Sequence, residues 1–184
     1  SEKTRFYVSG KYYNEEGTLR HTSNEIYNYR ANLSHWINTK VKLIANINGT
    51  FRKFENEASG NYGALILSLV NLPWDNPYNA DGTIKKGTEP GWLGRENDNF
   101  LHGWQYNFDK GAENRVYGDL NLEYSILNNL KFATYNRASF TNKKSDLYYD
   151  IRAKAGRGLG TLTNRFSNSR TFVTSNRLSY DKNF

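Results

Sequence analysis

The chain has 184 residues, enough for one ordinary domain, yet only 37% are hydrophobic and the mean hydropathy is -0.83, low for a chain that must fill its own core. Cysteine is absent, which excludes disulfides and thiolate metal sites, and the net charge of +7 is scattered along the chain, which argues against nucleic acid as a partner. Aromatic residues reach 15%, with fourteen Tyr, a composition suited to interfaces where one end of a ring is apolar and the other wet.

Residues 5–14 read as a strand whose even positions, Phe6, Val8, Gly10 and Tyr12, are apolar or small, against Arg5, Ser9 and Lys11 on the odd face; Tyr7 and Tyr13 blur that odd face. The polar segment "NEEGTLRHTSN" contains Gly17 and marks a reversal. A second strand over 26–36 sets Tyr27, Tyr29, Ala31 and Leu33 against Asn28, Arg30, Asn32 and Ser34, and "INTK" turns tightly into a third. That third strand, "VKLIANINGTFR" over 41–52, has the clearest pattern: Val41, Leu43, Ala45, Ile47, Gly49 and Phe51 share one parity, and Lys42, Asn46, Asn48, Thr50 and Arg52 the other, with Ile44 as the single exception. Asn48-Gly49 is a hairpin dipeptide, but the parity continues through it and a turn there would leave too short a second arm, so the strand is expected to run on.

From 54 to 114 the alternation disappears, and a connection of that length is functional or disordered in most domains. Its contents argue for order: "YGALILSLV" suits a short helix, "LPWDNPYNADGT" is dense in turn formers, and Trp74, Trp92 and Trp104 offer large packing surfaces. Alternation returns over 115–126, where Val116, Gly118, Leu120, Leu122, Tyr124 and Ile126 oppose Arg115, Asp119, Asn121, Glu123 and Ser125. "LNN" turns into a strand of mixed parity over 130–140, a polar glycine-containing loop is expected over 146–169, and a last strand over 170–180.

Short connections thus alternate with long ones, and strands of roughly 9 to 11 alternating residues can cross a bilayer when tilted. The longest apolar run, residues 64–70 with Ser68 inside it, is too short for a membrane helix, and no leader-like pattern follows Ser1. A transmembrane barrel is marked instead by apolar-out, polar-in strands with short turns at one rim and long loops at the other. Tyr12, Tyr27, Trp36, Tyr124 and Tyr180 fall near strand ends, where an aromatic girdle would sit.

Catalytic chemistry is hard to place. Glu15-Glu16 and Glu96 with Asp98 lie in expected loops among Asn and Gly and read as solvated charge; His21, His35 and His102 lack metal-ligand spacing and read as satisfied or exposed rings. "NADG" ending at Gly82 puts Pro77 where a calcium loop needs its first carboxylate, so a plain turn is expected, and "GRGLG" at 156–160 lacks the strand-to-helix setting of a phosphate loop. No metal and no cofactor are expected, and no enzymatic activity. The constellation that stands out is Trp74, Asp75, Asn76, Tyr78, Trp92 and Arg95, where flat rings could stack on sugar faces or peptide side chains while carboxylate, amide and guanidinium supply directed hydrogen bonds. The same rings could instead pack the loop into a mini-core of its own.

Together "YYNEEGTLRHTSNEIYNYRANLSHWINTKVKLIANI", "LPWDNPYNADGTI" and "YGDLNLEYSILNNLKFATYNRASF" resemble the SusC/RagA family of TonB-dependent outer-membrane transporters, over nearly the whole chain. The resemblance implies an all-β fold: an antiparallel transmembrane β-barrel segment of about six strands, from a 22-stranded barrel with long extracellular loops. Residues 1–184 would then be part of one barrel domain just after the plug, with plug and remaining strands outside this sequence. It further implies a bacterial outer-membrane location in contact with lipid, energy delivered by TonB through the plug, a SusD-like surface lipoprotein as lid, and glycan or peptide cargo. The competing reading from composition is a soluble β-rich glycan-binding or glycan-cleaving domain.

Overall fold

The computed structural model describes residues 3–58, 63–87, 89–94 and 98–181. Six antiparallel strands form one sheet in chain order: β1 (Thr4–Glu16), β2 (Ser23–Trp36), β3 (Val41–Asn56), β4 (Phe108–Leu127), β5 (Leu130–Tyr149) and β6 (Thr161–Tyr180). Asn48-Gly49 does not turn; Gly49 stands opposite Tyr29 on β2 and Val116 on β4. The turn between β2 and β3 is made instead at 37–40, where the Asn38 carboxamide oxygen accepts the N–H groups of Lys40 and Val41 at 2.8 and 2.9 Å.

Residues directly opposite in an antiparallel pair share a face, so the register carries each face across the whole sheet. Val8, Ala31, Ile47, Gly118, Ala138 and Phe172 form one row; Tyr7, Asn32, Asn46, Asp119, Arg137 and Val173 form its neighbour on the opposite face. The mixed parity of β5 is settled by its partners, with Phe132, Ala138 and Phe140 on the apolar face and Tyr135 and Arg137 on the polar one. On β3 the apolar stripe runs from Val41 to Phe51. That is roughly 34 Å of strand, or about 26 Å of height at a tilt of about 40°, close to the apolar band of an outer-membrane barrel.

Among the described residues no second layer covers this stripe. Phe6 is 81% exposed, Val8 and Phe172 71%, whereas the buried hydrophobic residues, Phe54, Ala58, Ala64, Leu67, Trp92 and Ala153, all gather at one end of the sheet. A soluble sandwich would bury the apolar face under a second sheet, so the soluble reading loses its structural basis. Among the described residues no helix is long and apolar enough to cross a membrane.

Several boundaries differ from expectation. The long connection spans 57–107 rather than 54–114, because β3 continues to Asn56 and β4 begins at Phe108; the second covers only 150–160, because β5 reaches Tyr149 and β6 starts at Thr161. These added strand segments lie beyond the apolar band, where Lys53, Glu55, Lys110, Lys144 and Asp146 occupy the formerly apolar parity. With charged residues on that parity, and Phe54 buried on the other, the alternation that marks the band is lost and the strand is not evident from the sequence. Glu15 and Glu16 accordingly lie on β1 rather than in a loop. The expected helix is present as α1 (Ala64–Val70), whereas α2 (Phe100–Tyr106) was not anticipated. Trp36 leaves the girdle: it shares the polar face with Lys42, whose ammonium lies 5.5 Å from its ring centroid. Tyr12 and Tyr27 do pair on the outer face, with ring centroids 4.9 Å apart, in the row that ends at Phe51.

Candidate functional site in the long connections

The connections 57–107 and 150–160 lie at the same end of the sheet and fold onto each other through side-chain to backbone hydrogen bonds. Asn71 closes α1 and reaches α2, its amide donating to the Asp98 carbonyl at 3.0 Å and its oxygen accepting the Phe100 N–H at 3.1 Å. The Asp98 carboxylate accepts the Lys154 N–H at 2.9 Å, and the Asn107 side-chain oxygen accepts the Asp150 N–H at 2.9 Å, which ties the second connection to the first. Asp98 is therefore buried and used, not solvated as its sequence context suggested. Glu96 lies outside the described residues.

Asn99 is fully buried and is the centre of this small unit. Its amide donates to the Pro77 and Lys85 carbonyls at 2.8 and 2.9 Å, while its oxygen caps α2 through the Leu101 N–H at 3.1 Å. Gly87 makes the approach possible: φ is +98° and a Cβ there would lie 2.4 Å from the Asn99 nitrogen. Between Pro77 and Lys85 the chain forms a small hairpin bridged at Tyr78 and Ile84, with Asp81 accepting the Thr83 N–H and hydroxyl at 2.9 and 2.7 Å. The "NADG" segment is thus a turn whose carboxylate is already engaged.

Asp150 accepts from the Arg152 backbone N–H and guanidinium and from the Tyr148 hydroxyl, and the Arg152 Cζ lies 3.6 Å from the Tyr106 ring centroid. The Arg152 guanidinium holds the Asp150 carboxyl well below the usual carboxylate range. His102, on α2, is 7% exposed and packs edge-on against Tyr106 with ring centroids 5.1 Å apart, while its Nδ1 has no hydrogen-bond partner among the described residues. It is neither exposed nor fully satisfied, contrary to expectation. Burial pushes its imidazole below the ordinary histidine value, against the opposing pull of Asp98 and Glu89.

Against this framework the six singled-out residues divide. The two Asp75 carboxylate oxygens accept the N–H groups of Leu93 and Gly94 at 2.8 and 2.9 Å, and Asp75 is buried. Trp92, which precedes Leu93 in the chain, is buried, 7% exposed. Asn76 accepts the Tyr78 N–H at 3.0 Å in a local turn. Trp74, 68% exposed, and Tyr78, 42% exposed, project outward, and Asp75 brings exposed Leu93 next to the Trp74 turn. Arg95 lies outside the described residues. α1 adds to the outward apolar surface, since Leu65, Ile66, Leu69 and Val70 are exposed while Ala64 and Leu67 are buried. Sequence reasoning missed Asn99, Asn71, Asp150 and Arg152; no local residue pattern marks the hydrogen bonds that these side chains make.

Comparison with known proteins adds to this geometry. No protein-family model matches the chain. It is 24% identical over 184 residues to TonB-dependent receptor P26 of Formosa agariphila, covering 98% of this chain and 18% of that protein. It is 23% identical over 193 residues to TonB-dependent receptor P3 of the same organism, covering all of this chain and 19% of that one. Two solved structures share the fold: the RagAB peptide importer in its closed-closed state, with TM-score 0.77 at 16% identity, and the RagAB peptide transporter, with TM-score 0.73 at 17%. They align with 100% and 98% of this chain but 21% of their own chains.

The fold and its two faces are those of an antiparallel segment of an outer-membrane β-barrel, and the chain is similar in sequence to bacterial TonB-dependent receptors. It shares its fold with the RagAB structures and spans about a fifth of the length of the proteins it matches.

Proposed function

We propose that this chain contributes six strands and two outward connections to a TonB-driven nutrient importer, carrying out no chemistry on its cargo. The single observation that supports this most is the placement of outward apolar surface: Trp74, Tyr78, Leu93 and the exposed side of α1 project from a loop unit that is internally hydrogen-bonded. Such a surface, held on a rigid support outside the membrane band, suits docking by a partner or stacking by cargo. The partner is a SusD-like surface lipoprotein, and the cargo is an oligomeric glycan or peptide. The curated relatives are named as TonB-dependent receptors, and the solved neighbours are a peptide importer, which supports import without choosing between cargoes.

Closure belongs to the same proposal. β1 and β6 each have one strand neighbour among the described residues, and an unpaired edge in lipid leaves backbone groups without hydrogen bonds. Further strands of the same barrel domain, 22 in all, pair with these edges, and a plug in the lumen couples to TonB.

The test is a set of single variants in the intact transporter. Trp74→Ala and Tyr78→Ala, with barrel assembly checked by heat-modifiable migration, should weaken lipoprotein co-purification or slow TonB-dependent uptake at least severalfold. Arg95→Ala belongs in the same set. If all three assemble, retain the lipoprotein and import at the normal rate, the loop's aromatic surface has no part in binding.

A further inference from the structure

The polar face of the sheet carries an uneven charge that the loop site does not explain. Between the rows of Lys42 and Arg52 it bears six arginines, Arg5, Arg30, Arg52, Arg115, Arg137 and Arg177, and three lysines, Lys11, Lys42 and Lys143. Only three carboxylates share those rows, Glu113, Asp119 and Glu123. Two are already engaged, Glu113 with Arg115 at 3.1 Å and Asp119 with Arg137. Three further arginines lean on neutral neighbours, Arg30 on Asn32, Arg52 on Asn24 and Arg177 on Ser179. Each row holds at least one cation, so positive charge recurs about every 7 Å along the strand direction. In the same rows the apolar face bears only Arg170 among Lys, Arg, Asp and Glu.

We infer that this face is an anion track, and that the cargo is an anionic oligomer bearing carboxylate or other acidic groups at intervals of a few ångströms. In a barrel the polar face lines the lumen. A cleft lined by one sign of charge between low-dielectric walls concentrates counter-ions of the opposite sign, and rings of Arg and Lys select anions in pores. Tyr7, Tyr117 and Tyr135 lie in the same rows as these cations and provide flat surfaces between the charges. This deepens the import reading and rests on it.

The experiment uses the full-length transporter in its native outer membrane and two matched pairs of labelled cargo: a Glu-containing hexapeptide with its Gln counterpart, and a hexauronate with its neutral hexose counterpart. TonB-dependent uptake should favour the acidic member of one pair at least tenfold at low ionic strength and lose that preference as salt is raised; the pair that responds identifies the source of the acid. In the combined variant Arg5→Gln, Lys11→Gln, Arg30→Gln the ratio of acidic to neutral uptake should fall toward one, and Arg5→Lys, Arg30→Lys should restore it. Equal uptake within both pairs, or a preference that survives the triple variant, overturns the inference. So does a variant that admits all solutes alike, because the cations would then be holding a plug. If no cargo enters in a TonB-dependent way the import reading fails instead, and salt-sensitive binding of the acidic members by the purified transporter still decides the anion track.

Discussion

Asp75 illustrates how a residue that looks like a ligand-binding group is committed to the fold. Both oxygens of this buried residue accept backbone N–H groups, from Leu93 and Gly94. Removing the carboxylate leaves two donors unsatisfied, at roughly 1–3 kcal/mol each where water cannot replace it. Asp75→Ala should therefore raise amide hydrogen exchange at Leu93 and Gly94 by at least tenfold while strand amides keep their protection; unchanged exchange would show that the turn holds without it. His102 gives a pH dependence at the same scale. Its imidazole titrates below the ordinary value in the folded loop because burial disfavours the charge, whereas in an opened loop it takes a proton near pH 6.5. The folded form thus binds fewer protons, and loop stability, fully present above about pH 6.5, is lost as pH falls from there toward the depressed folded value. Protection factors of α2 amides should drop between pH 7.5 and 5.5, and His102→Gln should flatten that drop. Protection that rises on acidification would contradict the burial account.

At the scale of elements, the two faces of β3 and β4 make the sharpest prediction. Leu120 and Asn121 are neighbours in sequence and lie on opposite faces. Leu120→Arg should destabilise the assembled barrel by roughly 2–4 kcal/mol if it faces the bilayer midplane, and Asn121→Arg by far less. Heat-modifiable migration in a urea series measures both; equal costs would mean that neither face meets lipid. The strands were legible where this contrast exists, in 41–52 and 115–126, and illegible where it fades. Residues 108–114, 141–149 and 161–169 are strand, yet they stand beyond the apolar band, where hydrophobic period carries no information. β5 was ambiguous for another reason. Thr134 and Asn136 share its apolar face, but Asn136 donates to the Leu120 carbonyl and the Thr134 hydroxyl and accepts from Thr174, so its polar atoms are satisfied within the sheet. The loop site was half legible: its turns and α1 follow from local residue types, but the hub at Asn99 joins segments 14 and 22 residues away, which no local pattern encodes.

At the scale of the whole molecule, the sheet's ends differ. Connections 37–40 and 128–129 are tight turns, while 17–22, 57–107 and 150–160 are longer and share the other end. In an outer-membrane barrel the short side faces the periplasm. Cysteines at Asn38 and Asn128 should escape an impermeant maleimide on intact cells, and one at Trp74 should react; the reverse pattern would invert the orientation. As the wall of a barrel, the sheet turns its apolar face to lipid and its polar face to water in the intact protein. A scan of single spin labels at Leu43, Asn46, Ile47, Asn48, Leu120, Asn121, Leu122 and Glu123, reading accessibility to oxygen and to a water-soluble relaxant, tests it directly. Leu43, Ile47, Leu120 and Leu122 should report lipid, and Asn46, Asn48, Asn121 and Glu123 should report water. Reversed parity, or no alternation at all, would contradict it.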